Sequence, residues 1–314
     1  MPGFSLMAYA ATVEPLRSAN LMRSAELYRW THLSPEGGIV ESSGRLPIAT
    51  QALPGPGETL PDFVILCGGL GSERYRHRLL PPLLRRAKRG GRLVGAVSTA
   101  SFILARAGLL RGHRCTVHWD YRSAFVEAFP ELDVSNELFV IDGGICTCAG
   151  GVAALDMMLH LIRQRHGTEL AALVSDQFIH GTLRQARDRQ RMELQHRLGT
   201  ASPQITRAVA LMEAHIETPL PVASIAARVK LSGRQLERLF HQAFDLTPAR
   251  YYLNLRLEEA RKLLQLSTLS IMDVALATGF VSASHFAKSY RLHVGHAPRQ
   301  ERRRSEAATA PALA

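Results

Sequence analysis

Two kinds of hydrophobic spacing divide the chain. Over residues 1–180, short unbroken apolar runs alternate with segments whose apolar positions recur every three or four residues. The runs predict strands at Glu26–Leu33, Ile39–Glu41, Leu46–Thr50, Asp62–Cys67, Arg92–Val97, Leu138–Asp142 and Ile145–Cys148. The segments between them predict helices at Leu6–Asn20, Pro81–Arg89, Ser98–Ala107, Tyr121–Phe129, Gly150–His166 and Glu169–Phe178. Strands as uniformly apolar as FVILC and LVGAV belong to a sheet covered on both faces. The expected fold of 1–180 is therefore α/β, doubly wound around a flavodoxin-like sheet. An Arg/Gln-rich stretch broken at Gly199–Pro203 reads as a partly helical connector over 181–203. From 204 to 304 only helical periodicity remains, which predicts an all-α second domain, and 305–314 reads as a disordered tail.

One junction stands out. Leu93–Val97 meets Ser98 abruptly, and a helical pattern follows. A nucleophile in open α/β proteins sits on such a sharp strand-to-helix turn. Ser98 reads either as a nucleophile or as the remnant of one.

Charge changes the picture. The chain has 38 Lys+Arg against 27 Asp+Glu, a net charge of +11, and only Lys88, Lys230, Lys262 and Lys288 are lysines. Arginine forks suit phosphate and guanine, so nucleic acid is the first candidate partner. The four cysteines, Cys67, Cys115, Cys146 and Cys148, have no CxxC spacing and read as free, buried thiols in a reducing compartment, with no metal site. No apolar run approaches the ~20 residues of a membrane span, and Met1–Asn20 lacks the charged start of a signal peptide. A cytoplasmic location is expected.

The second domain contains a repeat. Ile225-Ala226, Val229 and Leu231 recur 49 residues later as Val274-Ala275, Thr278 and Phe280; Leu236, Phe240 and Pro248 recur 50 later as Phe286, Tyr290 and Pro298. Each copy reads as helix, turn and capped second helix, with Ser232 and Gln235 forming a capping box and Ser282 or Ser284 capping the second copy. Residues 204–314 carry 15 Lys/Arg against 9 Asp/Glu. IAARVKLSGRQLERLFHQAF and SIMDVALATGFVSASHFAKSYRLHVGHAP together resemble the AraC-type double helix-turn-helix DNA-binding domain, with Glu301 standing where that family usually has an aromatic residue. The resemblance implies outward faces of Arg234, Gln235, Arg238 and His241 in one major groove and Ser284, His285, Lys288 and Arg291, beside Ala283, in the next.

The first domain carries a second resemblance. VILCGGLG, the Ser98 junction, HRCTVHWDY and IDGGICTCAGGVAALDMML resemble the ThiJ/PfpI, class I glutamine amidotransferase-like domain. PGFSLMAYAATVEPLRSAN, LYRW, ARAGLL and VSDQFIH narrow this to the version fused to AraC-type domains in GlxA-type regulators, nearest the branch sensing glycine betaine, carnitine or arginine. In enzymatic relatives the elbow is G-x-C-x-G with an acidic partner. Here it is Ala96-Val97-Ser98-Thr99-Ala100, and Ala8 stands at the acidic position. The expected site is thus a catalytically inactive pocket. Gly68, Gly69 and Thr99 would offer backbone N–H groups, and Ser98, His118 and Trp119 would orient a small amine, amino acid or betaine. No cofactor is implied. The resemblance also implies a homodimer, promoter DNA as partner, and activation through RNA polymerase. Relatives have a strand before the PGF segment, so the natural chain is expected to begin upstream of Met1, or another segment to fill that place in the sheet. Two rival readings remain: an amidase-like hydrolase using Ser98 with His118, and a DNA binder that needs no ligand.

Overall fold

The computed structural model describes residues 1–181, 184–188, 190, 198–199 and 202–309, with side chains to 304. It divides into two units, Met1–Gln190 and Arg191–Ala314.

In the first unit, the unbroken apolar runs form the central sheet. Strands β4 (Phe63–Cys67), β5 (Leu93–Val97) and β9 (Ile145–Cys148) lie parallel, and β8 (Phe139–Asp142) runs antiparallel at the edge. Phe63 faces Leu93 and Cys67 faces Val97, so β4 and β5 end level and their following loops emerge side by side. That register places the glycine turn after β4 against the Ser98 turn after β5. Helices α1 (Leu6–Arg23), α5 (Ala153–His166) and α6 (Thr168–Gln177) pack together, while α2 (Leu80–Arg89) and α3 (Ser101–Arg106) pack on β5 and each other. Ala8, Val97, Cys146, Cys148, Ala154 and Met157 meet in one buried cluster. A second sheet holds β1 (Leu33–Ser34), β2 (Glu36–Glu41) and β3 (Pro47–Ala52). A short parallel pair, β6 (Arg114–Cys115) with β7 (Asp133–Val134), is too brief for any periodicity to reveal. Helix α4 (Arg122–Ala128) packs its Phe125 edge-on to Phe102 of α3, 4.8 Å between centroids.

Several expectations are corrected here. The strand expected at Glu26–Leu33 is irregular up to Leu33. The side chain of Asn20 takes over the role of a neighbouring strand: its Oδ1 accepts from Tyr28 N at 2.9 Å and its Nδ2 donates to Tyr28 O at 2.7 Å. The helix expected from Ser98 begins as a 3₁₀ turn, Ser98–Ala100, before α3. In the second unit the last helix runs to Thr309, beyond the expected limit at 304, because the Ala-containing sequence past Arg304 suits a helix; residues 310–314 of the expected tail lie outside the described residues. So do 182, 183, 189, 191–197, 200 and 201 of the expected connector.

The regular elements among the described residues of the second unit are all helices: α7 (Pro203–Ala214), α8 (Val222–Arg228), α9 (Gly233–Phe244), α10 (Pro248–Leu266), α11 (Ile271–Ala277), α12 (Ala283–Val294) and α13 (Pro298–Thr309). The repeat is α8-turn-α9 and α11-turn-α12. The recurring apolar residues are its buried joints: Ile225, Ala226, Leu236 and Phe240 in one copy, Val274, Ala275, Phe286 and Tyr290 in the other. Arg256 of α10 clamps the second turn, donating from Nε to Thr278 O (2.8 Å) and from Nη2 to Gly279 O (2.7 Å), with its guanidinium 4.3 Å from the Phe280 ring centroid. Gly279 has φ +75°, and a Cβ there would lie 2.5 Å from Pro219 Cγ, so this turn requires glycine.

Glu301, in place of an aromatic residue, is 5% exposed. It fills the site with hydrogen bonds instead of a ring. Its carboxylate accepts from Tyr290 Oη (3.0 Å), His296 Nε2 (2.6 Å) and Gln265 Nε2 (2.5 Å), with Arg261 Nε at 3.5 Å. Burial alone would raise its pKa, but the bonds from Gln265, His296 and Tyr290 and the charge of Arg261 together hold it below the usual carboxylate range.

Candidate effector site and nucleic-acid interface

Ser98 occupies a true elbow. Its φ is +61°, the left-handed region that costs a non-glycine residue roughly 1–2 kcal/mol. Neighbours lock it there. Gly150 lies so close that a Cβ would sit 2.8 Å from Ser98 Cβ, and Gly68 would likewise strike Ala100 N at 2.4 Å. The strained turn survives although the flanking positions, Ala96 and Ala100, are fully buried alanines.

The residues around this elbow are not those of a thiol nucleophile. Ala8 is fully buried in the cluster that includes Val97 and Cys148, so no carboxylate enters from that side. Burial pushes the Cys67 thiol up to about 11 and those of Cys115 and Cys148 up to about 12, and it also raises Cys146. None is a thiolate near neutral pH. All four are free. His118 Nδ1 accepts from Asp120 N at 3.3 Å.

The glycines play a different part from the one expected. Gly69 N donates to Ser72 Oγ at 2.9 Å and Gly68 N to Val97 O at 3.2 Å, so neither N–H is offered to a ligand. Their lack of side chains serves packing: a Cβ on Gly69 would lie 2.0 Å from Gly3 O. Thr99 is buried and donates from Oγ1 to Gly69 O at 2.6 Å, tying the two loops together. Ser98 is 8% exposed, whereas Trp119 keeps 37% of its surface open and tilts over His118 with centroids 5.4 Å apart. Tyr121 stands edge-on to His118 at 6.1 Å.

Sequence reasoning missed Glu73. Its side chain is 4% exposed, and Oε2 has no partner among the described residues. Burial raises its pKa, against the pull of backbone N–H groups at Glu73 and Gly71 and of the Arg74 and Arg106 charges. It lies close enough to Tyr121 for its charge to help raise that phenol. The only signal was an acid following the glycine turn. Arg106 holds this loop by donating to Glu73 O and Tyr75 O, both at 2.8 Å.

In the second unit, Arg234, Gln235, Arg238 and His241 of α9 are exposed, as are Ala283, Ser284, His285, Lys288 and Arg291 of α12. Ser232 Oγ accepts from Gln235 N (3.2 Å) and Gln235 Oε1 from Ser232 N (2.8 Å), so the cap uses the oxygen of that amide and leaves Nε2 to reach outward. Ser282, not Ser284, caps α12 through His285 N at 3.2 Å. His241 Nδ1 lies 3.4 Å from Asp245, a neighbour that competes with phosphate.

Among the described residues no helix is long and apolar enough to cross a membrane, and no group of three metal-ligating side chains forms.

The DJ-1/PfpI family model matches residues 8–164, and a helix-turn-helix domain model matches 225–304. The chain is 46% identical over 302 residues to the HTH-type transcriptional regulator GbdR of Pseudomonas aeruginosa, covering 96% of this chain and 82% of that one. It is 39% identical over 302 residues to the HTH-type transcriptional regulator GlxA of Rhizobium meliloti, covering 96% and 93%. A solved AraC family transcriptional regulator from Pseudomonas putida superposes with a TM-score of 0.51 at 28% identity, over 57% of this chain and 95% of that one.

Proposed function

Because the chain belongs to the AraC-type helix-turn-helix regulators that carry a DJ-1/PfpI domain, we propose that it is a DNA-binding transcription regulator whose first unit senses a small amine, amino acid or betaine without chemical turnover. The observation supporting the sensor reading is an elbow kept in its strained shape at Ser98, with a serine in place of the cysteine and Ala8 at the position of the acid. A pocket that only binds still profits from the preorganised turn. The Trp119 and Tyr121 rings suit an ammonium or guanidinium face. Glu73 supplies the buried carboxylate that neutral Ser98 lacks.

Ligand acts by favouring one of two arrangements with different DNA affinity. The recognition faces are Arg234, Gln235, Arg238 and His241 on α9 and Ser284, His285, Lys288 and Arg291 on α12; all are exposed, and Arg234, Arg238, Lys288 and Arg291 add positive charge. Two such helices read successive major grooves, ~10 bp apart. The reading includes a cytoplasmic homodimer joined through the first unit, and activation by contact with RNA polymerase.

A thermal-shift screen of the full chain with glycine betaine, L-carnitine, L-arginine and related amines tests it. Stabilisation by one of them, persisting in Ser98→Ala, is the expected result. No stabilisation across the set sinks the ligand class. Turnover lost in Ser98→Ala would instead favour the hydrolase, for which the strained φ of Ser98 is the supporting observation.

A further inference from the structure

A buried chain of hydrogen bonds runs from the elbow to the last residue of the first unit. Ser101, at the start of α3, donates from Oγ to Thr116 O at 2.9 Å. Thr116 N is fixed by Thr147 Oγ1 at 2.8 Å, and its own Oγ1 donates to Glu137 O at 2.9 Å. Onto this point closes Gln190. Its Nε2 lies 2.9 Å from Thr116 Oγ1, 3.0 Å from Val117 O and 2.8 Å from Glu137 O. Two of these partners are carbonyls, which only accept, so the amide orientation is determined. Ser101, Thr116 and Val117 are fully buried, and Val117 precedes His118.

The segment leading to Gln190 is strapped to the same unit at two other points. Leu138 N donates to Ala186 O at 3.0 Å. Asp156, whose side chain is fully buried, accepts from His180 Nε2 (2.9 Å) and from Arg184 N (3.2 Å), Nε (3.0 Å) and Nη2 (2.6 Å). Among the described residues of this segment, Gln190 is the one that bonds Thr116 Oγ1 and Val117 O, next to His118. The second unit begins at the next residue.

We propose that Gln190 is the positioning residue that couples the elbow to the connector, reporting movement of the Thr116–Trp119 turn to the DNA-binding unit. The role as a ligand relay rests on the sensor reading above; the mechanical link does not. A shift of Val117 or Thr116 must loosen or tighten the amide bonds of Gln190, because leaving buried carbonyls without donors is unfavourable. Coupling is reciprocal, so a change at Gln190 must also be felt at the elbow.

Hydrogen exchange on the full chain tests the link without any ligand. Gln190→Leu, which keeps the bulk and loses the donors, is expected to speed exchange about tenfold or more in peptides covering 98–104 and 114–121. Ser101→Ala, which cuts the other end of the chain, is expected to speed exchange in 184–190. If Gln190→Leu changes only its own neighbourhood, or if Ser101→Ala leaves 184–190 untouched, the link is overturned; the two variants act at opposite ends, so failure of one to fold leaves the other decisive. The relay is then read with a duplex selected by the wild-type chain from a random library. With glycine betaine, L-carnitine or L-arginine as probe, wild type should change its DNA affinity within the 5–150-fold range usual for coupled sites. Gln190→Leu should bring that factor near one while still binding the probe, a split that a merely structural residue would not produce. A probe that binds Gln190→Leu and still shifts its DNA affinity as in wild type overturns the relay. If no probe binds wild type, the ligand class fails while the exchange experiment still decides the link.

Discussion

The elbow and the recognition helices place function in opposite ways. Around Ser98 the backbone is strained, the side chain is almost covered, and Gly150 and Gly68 press against it. On α9 and α12 the backbone is relaxed and capped, the buried residues Leu236, Phe240, Phe286 and Tyr290 all lie behind, and the expected contact residues face water. A ligand site of the first kind is specified by what its neighbours permit. A DNA interface of the second kind is specified by what one helix face displays. Mutations should therefore act on stability in the first and on affinity in the second.

The largest expected effect tests the display. Arg238→Glu combined with Lys288→Glu should weaken DNA binding by ~10²–10³-fold and lower the salt dependence, with little change in melting temperature. Fluorescence anisotropy at several salt concentrations measures both; an unchanged affinity would remove these faces from the interface. Next comes the packing of the elbow. Gly150→Val puts side-chain atoms onto Ser98 at a φ of +94° and should destabilise the first unit by about 3 kcal/mol without altering the DNA affinity of the folded fraction. Denaturant unfolding would show it, and a neutral result would mean that the elbow yields easily.

Glu301 sharpens the comparison inside the second unit. Removing its carboxylate, as Glu301→Ala, should cost about 2 kcal/mol by leaving Tyr290 and His296 without their acceptor. Because the folded pKa lies below the unfolded one, the carboxylate's contribution is complete above the unfolded value, about 4.3, and lost as pH falls through the folded value. Glu301→Gln should flatten that part of the acid limb, read by hydrogen exchange in α10 and α12. The smallest effect has the opposite sign. Ser98→Gly relieves the left-handed strain and should stabilise the first unit by about 1 kcal/mol relative to Ser98→Ala, which keeps it. Equal melting temperatures for the two variants would show that the turn is not strained.

Much of this was legible from the chain. The repeat exposed its buried joints because a helix-turn-helix must bury the same positions each time, and the outward residues of α9 and α12 followed by 3.6-residue geometry. The Ser98 turn was legible from an apolar run ending abruptly. Glycine roles were not: Gly69 looks the same in sequence whether its N–H meets a ligand or, as here, Ser72 Oγ. Asn20 standing in for a strand beside Tyr28 was equally invisible, since nothing local signals a side chain imitating a backbone.

The sequence by itself determined the two fold classes, the repeat and the charge that calls for DNA, while the lost thiol and acid were read from its family resemblance. Each of these depends on residue type or on spacing within one element. Only the tertiary structure decided that Ser98 keeps its left-handed turn, that Glu73 is a buried carboxylate with one oxygen unpartnered among the described residues, that Glu301 replaces a ring with a hydrogen-bonded hub, and that Gln190 closes on Thr116 and Val117. Those features arise from groups 5 to 74 residues apart along the chain, or from the absence of a partner among the described residues, and burial acts on them only after the elements have packed.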